Sequence, residues 1–423
     1  MSLSSYAKYK PSGIDWLSAI PSHWSTCALK RLVCLKSGES ITSDQIFEAG
    51  EFAVYGGNGL RGFTSSFTHE GRYALVGRQG ALCGNVNYSE GKFWASEHAV
   101  VATPIKPLAT NYLGELLRTM NLNQYSVSAA QPGLSVELIS NIGVPYPSLD
   151  EQNAIAAFLD HETAKIDALI AEQEKLIALL AEKRQATISH AVTRGLNPDV
   201  PMKDSGVAWL GEVPAHWVVG PLKRFWSVTD CKHITADFVE DGFALASIRE
   251  VQSRFVQLEN AKKTTDIYYY QLIDGGRKPT PGDLIFSRNA TVGEVAQVPN
   301  DHPPFAMGQD VCLLRKINKK YSSDFLQETL RSGPIIEQIK NIMVGSTFKR
   351  VNVEEIRGLY ILMPPAIEQV EIAQFLVTEA MKLSTLSAQS ERAIDLLKER
   401  RSALIAAAVT GQIDVRNFMA EAS

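Results

Sequence analysis

Residues 57–62 of the chain read GNGLRG, a match to the G-x-G-x-x-G cradle that holds phosphates. That chemistry needs a helix opening behind the glycines, so that its N-terminal amides face the anion. The residues that follow, FTSSFTHEGRY, are aromatic and hydroxyl-rich and carry no helical stripe. A turn or an exposed loop is the expectation. Residues 301–305, DHPPF, approximate the D-P-P-F/Y motif with which adenine methyltransferases grip a target amino group. His302 interrupts it, and no methyl-donor glycine loop precedes it within a βαβ unit. His23 and His216 each stand between a proline and a tryptophan, without a nucleophile or acid at fixed spacing, so both are expected to be structural. Cys27, Cys34, Cys83, Cys231 and Cys312 form no C-x-x-C pair and no zinc spacing with histidine. They read as reduced, mostly buried thiols. No catalytic residue, metal site or cofactor is expected.

The two histidines belong to a larger pattern. GIDWLSAIPSHW at 13–24 returns as GVAWLGEVPAHW at 206–217. The self-similarity continues along the chain. YALVGRQGALCGNV (73–86) resembles DLIFSRNATVGEVA (283–296), with Arg78 opposite Arg288. YLGELLR (112–118) matches FLQETLR (325–331), and PSLDEQNAIAAFL (147–159) matches PPAIEQVEIAQFL (364–376). LLAEKRQATISHAVTRG (179–195) matches LLKERRSALIAAAVTGQ (396–412). The second copy holds about 24 extra residues, all before Pro364.

Each copy has a body of short strands and a long helical part. FAVYG, YALVG, HAVVAT, DLIFS and VCLLRK read as strands punctuated by Gly, Asn and Pro. Residues 151–192 and 368–409 contain neither Gly nor Pro, follow Pro147 and Pro364, and stop at Gly195 and Gly411. Apolar residues recur there at spacings of three, four and seven: Ile155, Phe158, Leu159, Ile166, Leu169, Ile170, Leu176, Ile177, Leu179, Leu180 and Ile188 in one. Ile372, Phe375, Leu376, Leu383, Leu386, Ile394, Leu396, Leu397 and Ile405 repeat the stripe in the other. Each 42-residue helix would be roughly 63 Å long at ~1.5 Å per residue. A compact body cannot bury such a helix, but its twin can. A two-fold across the seam makes the pair antiparallel, sets the bodies at opposite ends and brings the chain termini together. The paired tryptophans are expected to pack body against helix.

Composition sets the outer bounds. With 45% hydrophobic and 21% charged residues the chain is a globular type, and no run of 18 apolar residues suggests a membrane span. The opening MSLSSYAKYKPSG lacks the apolar core of a signal peptide, which reads as cytoplasmic. The net charge of −4 is unevenly placed. Residues 1–150 carry 11 basic and 11 acidic groups and 198–367 carry 20 of each, whereas 151–197 carry 5 and 7 and 368–423 carry 6 and 8.

On its Trp-Leu…Pro-x-His-Trp openings, its P-x-x-x-E-Q helix starts, its R-x-G/A stretches after a strand, and AVTRGL and AVTGQID at the helix ends, the chain resembles the specificity subunit of type I restriction–modification systems. The likeness covers nearly the whole chain through the paired order of these motifs. It implies an α+β fold: two mixed α/β target recognition domains separated by two long antiparallel helices, a coiled-coil rod with pseudo-two-fold repetition. The boundaries are then 1–146 and 206–363 for the recognition domains, 147–195 and 364–412 for the helices, 196–205 for a linker and 413–423 for a tail near the N-terminus. The resemblance further implies double-stranded DNA as ligand, two methyltransferase subunits docked on the rod, restriction/translocase subunits joined through the complex, and no catalysis by this chain.

Residue chemistry narrows the DNA contacts. Duplex affinity rests on Lys/Arg against phosphate, so a neutral body must concentrate its cations or borrow them from partners. Local clusters are Lys262–Lys263, Arg277–Lys278, Lys319–Lys320 and Lys349–Arg350. Arg78 and Arg288 are common to both copies, so they point to phosphate contact or fold. Readers of different half-sites must differ between copies. Candidates are Asn58, Arg61, Gln79, Ser128 and Gln131 in the first, and Arg249, Lys262, Arg277, Lys278, Thr347 and Lys349 in the second. Arg and Lys suit guanine O6/N7, while Asn and Gln suit adenine. Glu151–Gln152 and Glu368–Gln369, at the helix starts, are candidates for partner contact or for first-turn acidic residues that favour the helix dipole. The rival readings are a coiled-coil scaffold and a diverged DNA-modifying enzyme.

Overall fold

The computed structural model describes residues 4–80, 82–126, 133–207, 210–343 and 350–418. The chain divides into two compact units: residues 1–174 with 391–423, and residues 175–390.

In the first unit an antiparallel sheet runs in the order Val33–Ser37, Ala99–Pro104, Tyr73–Gly77, Val86–Ser89. Its two central strands are buried on both faces. The period of two sends Ala74, Val76, Val100 and Ala102 into the main core with Tyr112, Leu113, Leu116 and Leu117 of helix Thr110–Thr119. It sends Leu75 and Val101 the other way, against Phe93 and Ala95. Those belong to a second sheet, ordered Gly59–Thr64, Phe52–Gly56, Lys92–Ala95, His69–Glu70. Its pair Phe52–Gly56 and Lys92–Ala95 is parallel.

The second unit builds the same thing from different residues. The central sheet is Trp226–Asp230, Val311–Lys316, Leu284–Ser287, Val295–Gln297, again antiparallel. Leu284, Phe286, Cys312 and Leu314 face one core, and Ile285, Val311 and Leu313 face the other. The second sheet again holds one parallel pair, Phe243–Ala246 with Phe305–Met307. The bodies diverge beside that pair. Where the first has strand His69–Glu70, the second packs Tyr269 and Leu272 of helix Asp266–Ile273 against Ala306. Part of the extra length of the second copy is spent there.

The long helices span Leu149–Arg194 and Ala366–Val409. Ser148 Oγ accepts from the Glu151 amide at 3.3 Å at the start of the first. Gly195 and Gly411 follow with φ of +76° and +73°, the left-handed stop that glycine accepts without strain. At Gly411 a side chain would also run into Pro21 and Trp24.

Pairing is antiparallel within each unit. In the first, Ile155, Phe158 and Leu159 share a core with Ile405, Ala408 and Val409, while Asp167, further along, bonds Arg401 Nε at 2.9 Å. In the second, Ile188, Ala191 and Val192 meet Ile372, Ala373 and Leu376. The termini are together as expected: the Asp414 amide donates to Ser4 O at 2.8 Å.

The expected apolar stripe is wider than the seam. Leu169, Leu176 and Leu179 on one helix, and Phe375, Leu386 and Leu396 on the other, are exposed. On the C-terminal helix Leu376, Ala380, Leu383, Ser387, Ser390, Ile394 and Leu397 form one sheltered line, with Val377, Glu379 and Ala393 half-buried beside it. That alternation of four and three is a heptad seam, which takes only two residues in seven. Leucines one step off it stay in solvent, and two serines stand in it.

Candidate nucleic-acid interface

The repeated motifs meet each other. His23 Nε2 lies 3.1 Å from Glu151 Oε2, and His216 Nε2 lies 2.8 Å from Glu368 Oε2. Tyr6 Oη donates to Glu151 at 2.6 Å, and Trp217 Nε1 donates to Glu368 at 3.1 Å. Burial, reinforced by Glu151, pushes the Tyr6 phenol well above its ordinary range. The glutamines repeat the pattern. Gln152 accepts the Ala109 amide at 3.0 Å and donates to Pro147 O at 3.0 Å. Gln369 accepts the Ser322 amide at 2.8 Å and donates to Pro364 O at 2.8 Å. Each Glu-Gln pair therefore ties its body to the first turn of its own long helix.

For three of the four residues burial weighs against partner contact and leaves the helix-start reading. Glu151 is 4% exposed, Gln152 0% and Gln369 1%, all committed to internal bonds. Glu368 alone is partly accessible, with two bonds already made.

For Arg288 the fold reading, given beside phosphate contact, is the one its burial supports. It is 2% exposed, and its Nη2 lies 2.7 Å from Asp230 Oδ1 and 3.8 Å from Cys231 Sγ. An arginine so placed neutralises an internal carboxylate and reaches no phosphate. Its counterpart Arg78 is half-buried and donates to Ser37 Oγ at 3.2 Å. Asp230, Cys231 and His233 bring ligand atoms within 4.8 Å of one another, but the Arg288 guanidinium already supplies the cation there. Burial pushes the Cys231 and Cys312 thiols up, as inert structural cysteines require.

GNGLRG makes the turn at Gly57–Asn58 and the first part of strand Gly59–Thr64, with no helix behind it. Asp301, His302, Pro303 and Pro304 form a loop leading into Phe305–Met307, with His302 Nδ1 at 2.8 Å from Pro303 O.

Several expected DNA contacts are on the surface. In the first body Asn58, Arg61 and Gln79 are exposed. Asn85 Nδ2 donates to Asn58 Oδ1 at 3.3 Å. In the second, Arg249, Lys262, Lys278 and Arg350 are exposed. Lys262 Nζ sits 4.2 Å over the Phe238 ring, and Arg350 lies 3.8 Å from Asp310. Arg249 and Lys262 line a cavity of about 420 Å³ with Phe238, Asn260 and Gln309. Lys263 is half-buried beside Asp241 at 3.7 Å. Arg277 is turned inward, its Nε donating to Asp230 O at 2.9 Å and its Nη1 to Asp274 O at 3.0 Å. Ser128, Gln131, Thr347 and Lys349 lie outside the described residues.

Sequence reading missed Asn85, Asn289 and Gln309. Asn289 follows Arg288 as Gln79 follows Arg78, so the repeat register already carried it. Among the described residues no helix is long and apolar enough to cross a membrane.

The comparisons with known proteins agree with this architecture. A specificity subunit of Escherichia coli, that of the type I restriction enzyme EcoprrI, is 40% identical over 136 residues, which span 31% of this chain and 34% of that relative. The EcoDI specificity subunit of the same species is 20% identical over 426 residues, spanning 93% of this chain and 89% of that one. A solved chain from a study of complex assembly and conformational transition of the type I R-M system has a TM-score of 0.68 at 14% identity, covering 93% of this chain and 99% of that chain, a likeness of fold. The family model described as the type I restriction modification DNA specificity domain matches twice, at residues 21–178 and 255–391. The two matches together cover more than half of the chain, including the later part of the second body, and the chain belongs to the type I restriction–modification DNA specificity family.

Proposed function

We propose that the chain selects DNA for a type I restriction–modification complex by reading a bipartite duplex, one half with each recognition body. The single observation that carries this is the repeat itself: two bodies with one strand order in the central sheet and one set of Glu-Gln clamps, but different exposed polar side chains. A duplicated frame with changed surface chemistry is what two unlike half-sites require. The paired helices set the spacer between the halves and dock two methyltransferase subunits, through which restriction/translocase subunits join. The chain itself recognises and does not catalyse, and it acts in the cytoplasm, where the DNA is.

The bodies are charge-balanced, so the chain alone binds duplex weakly and the complex binds it well. A mobility-shift titration tests this with the chain alone and with methyltransferase subunits, at several salt concentrations. Equal affinity and equal salt slope for the two preparations would rule the reading out.

A further inference from the structure

The two bodies can be aligned residue by residue through their parallel strand pairs, without reference to sequence identity. Ala53, Val54 and Tyr55 pair with Phe93, Trp94 and Ala95. Ala244, Leu245 and Ala246 pair with Phe305, Ala306 and Met307. The bonds beyond the strands repeat as well. The Ser96 amide donates to Tyr55 O at 2.9 Å, and the Gly308 amide donates to Ala246 O at 2.8 Å. The Arg78 amide donates to His98 O at 2.9 Å, and the Arg288 amide donates to Asp310 O at 2.8 Å. Tyr55 therefore occupies the place of Ala246. Three residues further on stand Asn58, in the tight turn to Gly59–Thr64, and Arg249, in the longer loop that leaves Phe243–Ala246.

Both side chains are exposed, and both stand where the strand pair ends beside the shared arginine strand. The residue after that arginine is an amide in each body, Gln79 in one and Asn289 in the other. The framework is common and the amide neighbour is common. The chemistry that changes is carboxamide against guanidinium.

Each is free to make a two-bonded base contact. Asn58 Oδ1 accepts one bond from Asn85, which leaves a second lone pair and both Nδ2 hydrogens, the set that matches adenine N6/N7. Arg249 forms no ion pair among the described residues, so its fork is available for guanine O6/N7. The neighbouring Glu250 is turned away, accepting from the Ser247 amide at 2.8 Å.

Building on the two-reader reading, we propose that Asn58 and Arg249 are twin specificity-determining residues. Asn58 reads an adenine in the half-site of the first body, and Arg249 reads a guanine in the half-site of the second.

The test uses the full chain assembled with methyltransferase subunits, with the methylated motif read by genome-wide sequencing of modified adenine. Four variants are compared: Asn58→Arg, Arg249→Asn, Asn58→Gln and Arg249→Lys. Asn58→Arg is expected to change one A:T requirement in one half, and Arg249→Asn to change one G:C requirement in the other. Preference at the affected position shifts by about 5- to 150-fold. Asn58→Gln and Arg249→Lys are expected to keep the wild-type motif. Asn58→Arg abolishing modification with its melting temperature intact, while Asn58→Gln modifies normally, also supports base reading. An unchanged motif in Asn58→Arg and Arg249→Asn, changes falling in one half only, or equal loss in a variant and its conservative control overturns the assignment. A wild-type complex that methylates no two-part motif defeats the parent reading instead, so the two failures are distinguishable.

Discussion

His216 Nε2 approaches Glu368 Oε2 to 2.8 Å, across 152 positions of sequence, and His23 repeats the contact with Glu151 at 3.1 Å. The phrase that opens each body and the phrase that opens each long helix are thus two halves of one joint. Glu151 is the more deeply buried of the two acids, and it also holds the Tyr6 hydroxyl at 2.6 Å. Glu151→Ala leaves that buried hydroxyl unpaired and is expected to cost about 2–3 kcal/mol. Denaturant melting measures it, and hydrogen exchange should show the loss in the first unit. A loss below about 0.5 kcal/mol, the range of ordinary surface changes, would remove the joint from the account.

Gln369→Leu tests the second joint by shape. Leucine fills the space but deserts the Ser322 amide and the Pro364 carbonyl, bonded now at 2.8 Å each. A cost of about 1–3 kcal/mol is expected, with the methylated motif unchanged. A motif change without a stability change would make Gln369 a recognition residue.

The Arg288–Asp230 pair gives the sharpest separation of fold from recognition. Asp230→Ala strands a guanidinium that is 2% exposed and is expected to destabilise the second unit by about 3–5 kcal/mol. Arg288→Met leaves the Asp230 carboxylate without its guanidinium, but that side chain is 32% exposed and water can solvate it, so this variant should cost less. Neither should alter which bases are methylated or the salt slope of DNA binding. A shallower slope in Arg288→Met would return Arg288 to the phosphate contacts.

Glu328 supplies a pH dependence. Burial raises its carboxyl above the ordinary glutamate range, against the opposing pull of Arg331, Arg254 and Arg184. Between the ordinary value and the raised one the folded state holds the proton more tightly than the unfolded state. That contribution is present in acid and lost as pH rises through the raised value. Glu328→Gln should flatten this fall, visible as a smaller decrease in melting temperature from mildly acidic to neutral pH. An unchanged profile would show that the carboxyl titrates normally.

The heptad seam predicts how the spacer can be altered. Seven residues added to both long helices, after Glu174 and before Glu391, keep the seam in register. The unspecified spacer should lengthen while both half-sites stay the same, as read from the methylated motif. Altered half-site bases would contradict a helix pair that serves only as a spacer.

Much of this protein is legible from local pattern. The duplication, the strands YALVG and VCLLRK and the long helices ended by Gly195 and Gly411 all follow from short-range rules: alternation, helical period and the freedom of glycine at positive φ. The candidate site was legible only in part. Asn58, Gln79 and Arg249 were visible as polar loop residues that differ between copies, yet their register was not, because the bodies differ in length between the strands. Tertiary structure decided that Tyr55 and Ala246 share a place, that Arg288 faces inward, and that Leu176 stays in solvent while Leu180 is buried. The reason is physical: a local period says which residues share a face, but only packing against a segment distant in sequence says what that face meets.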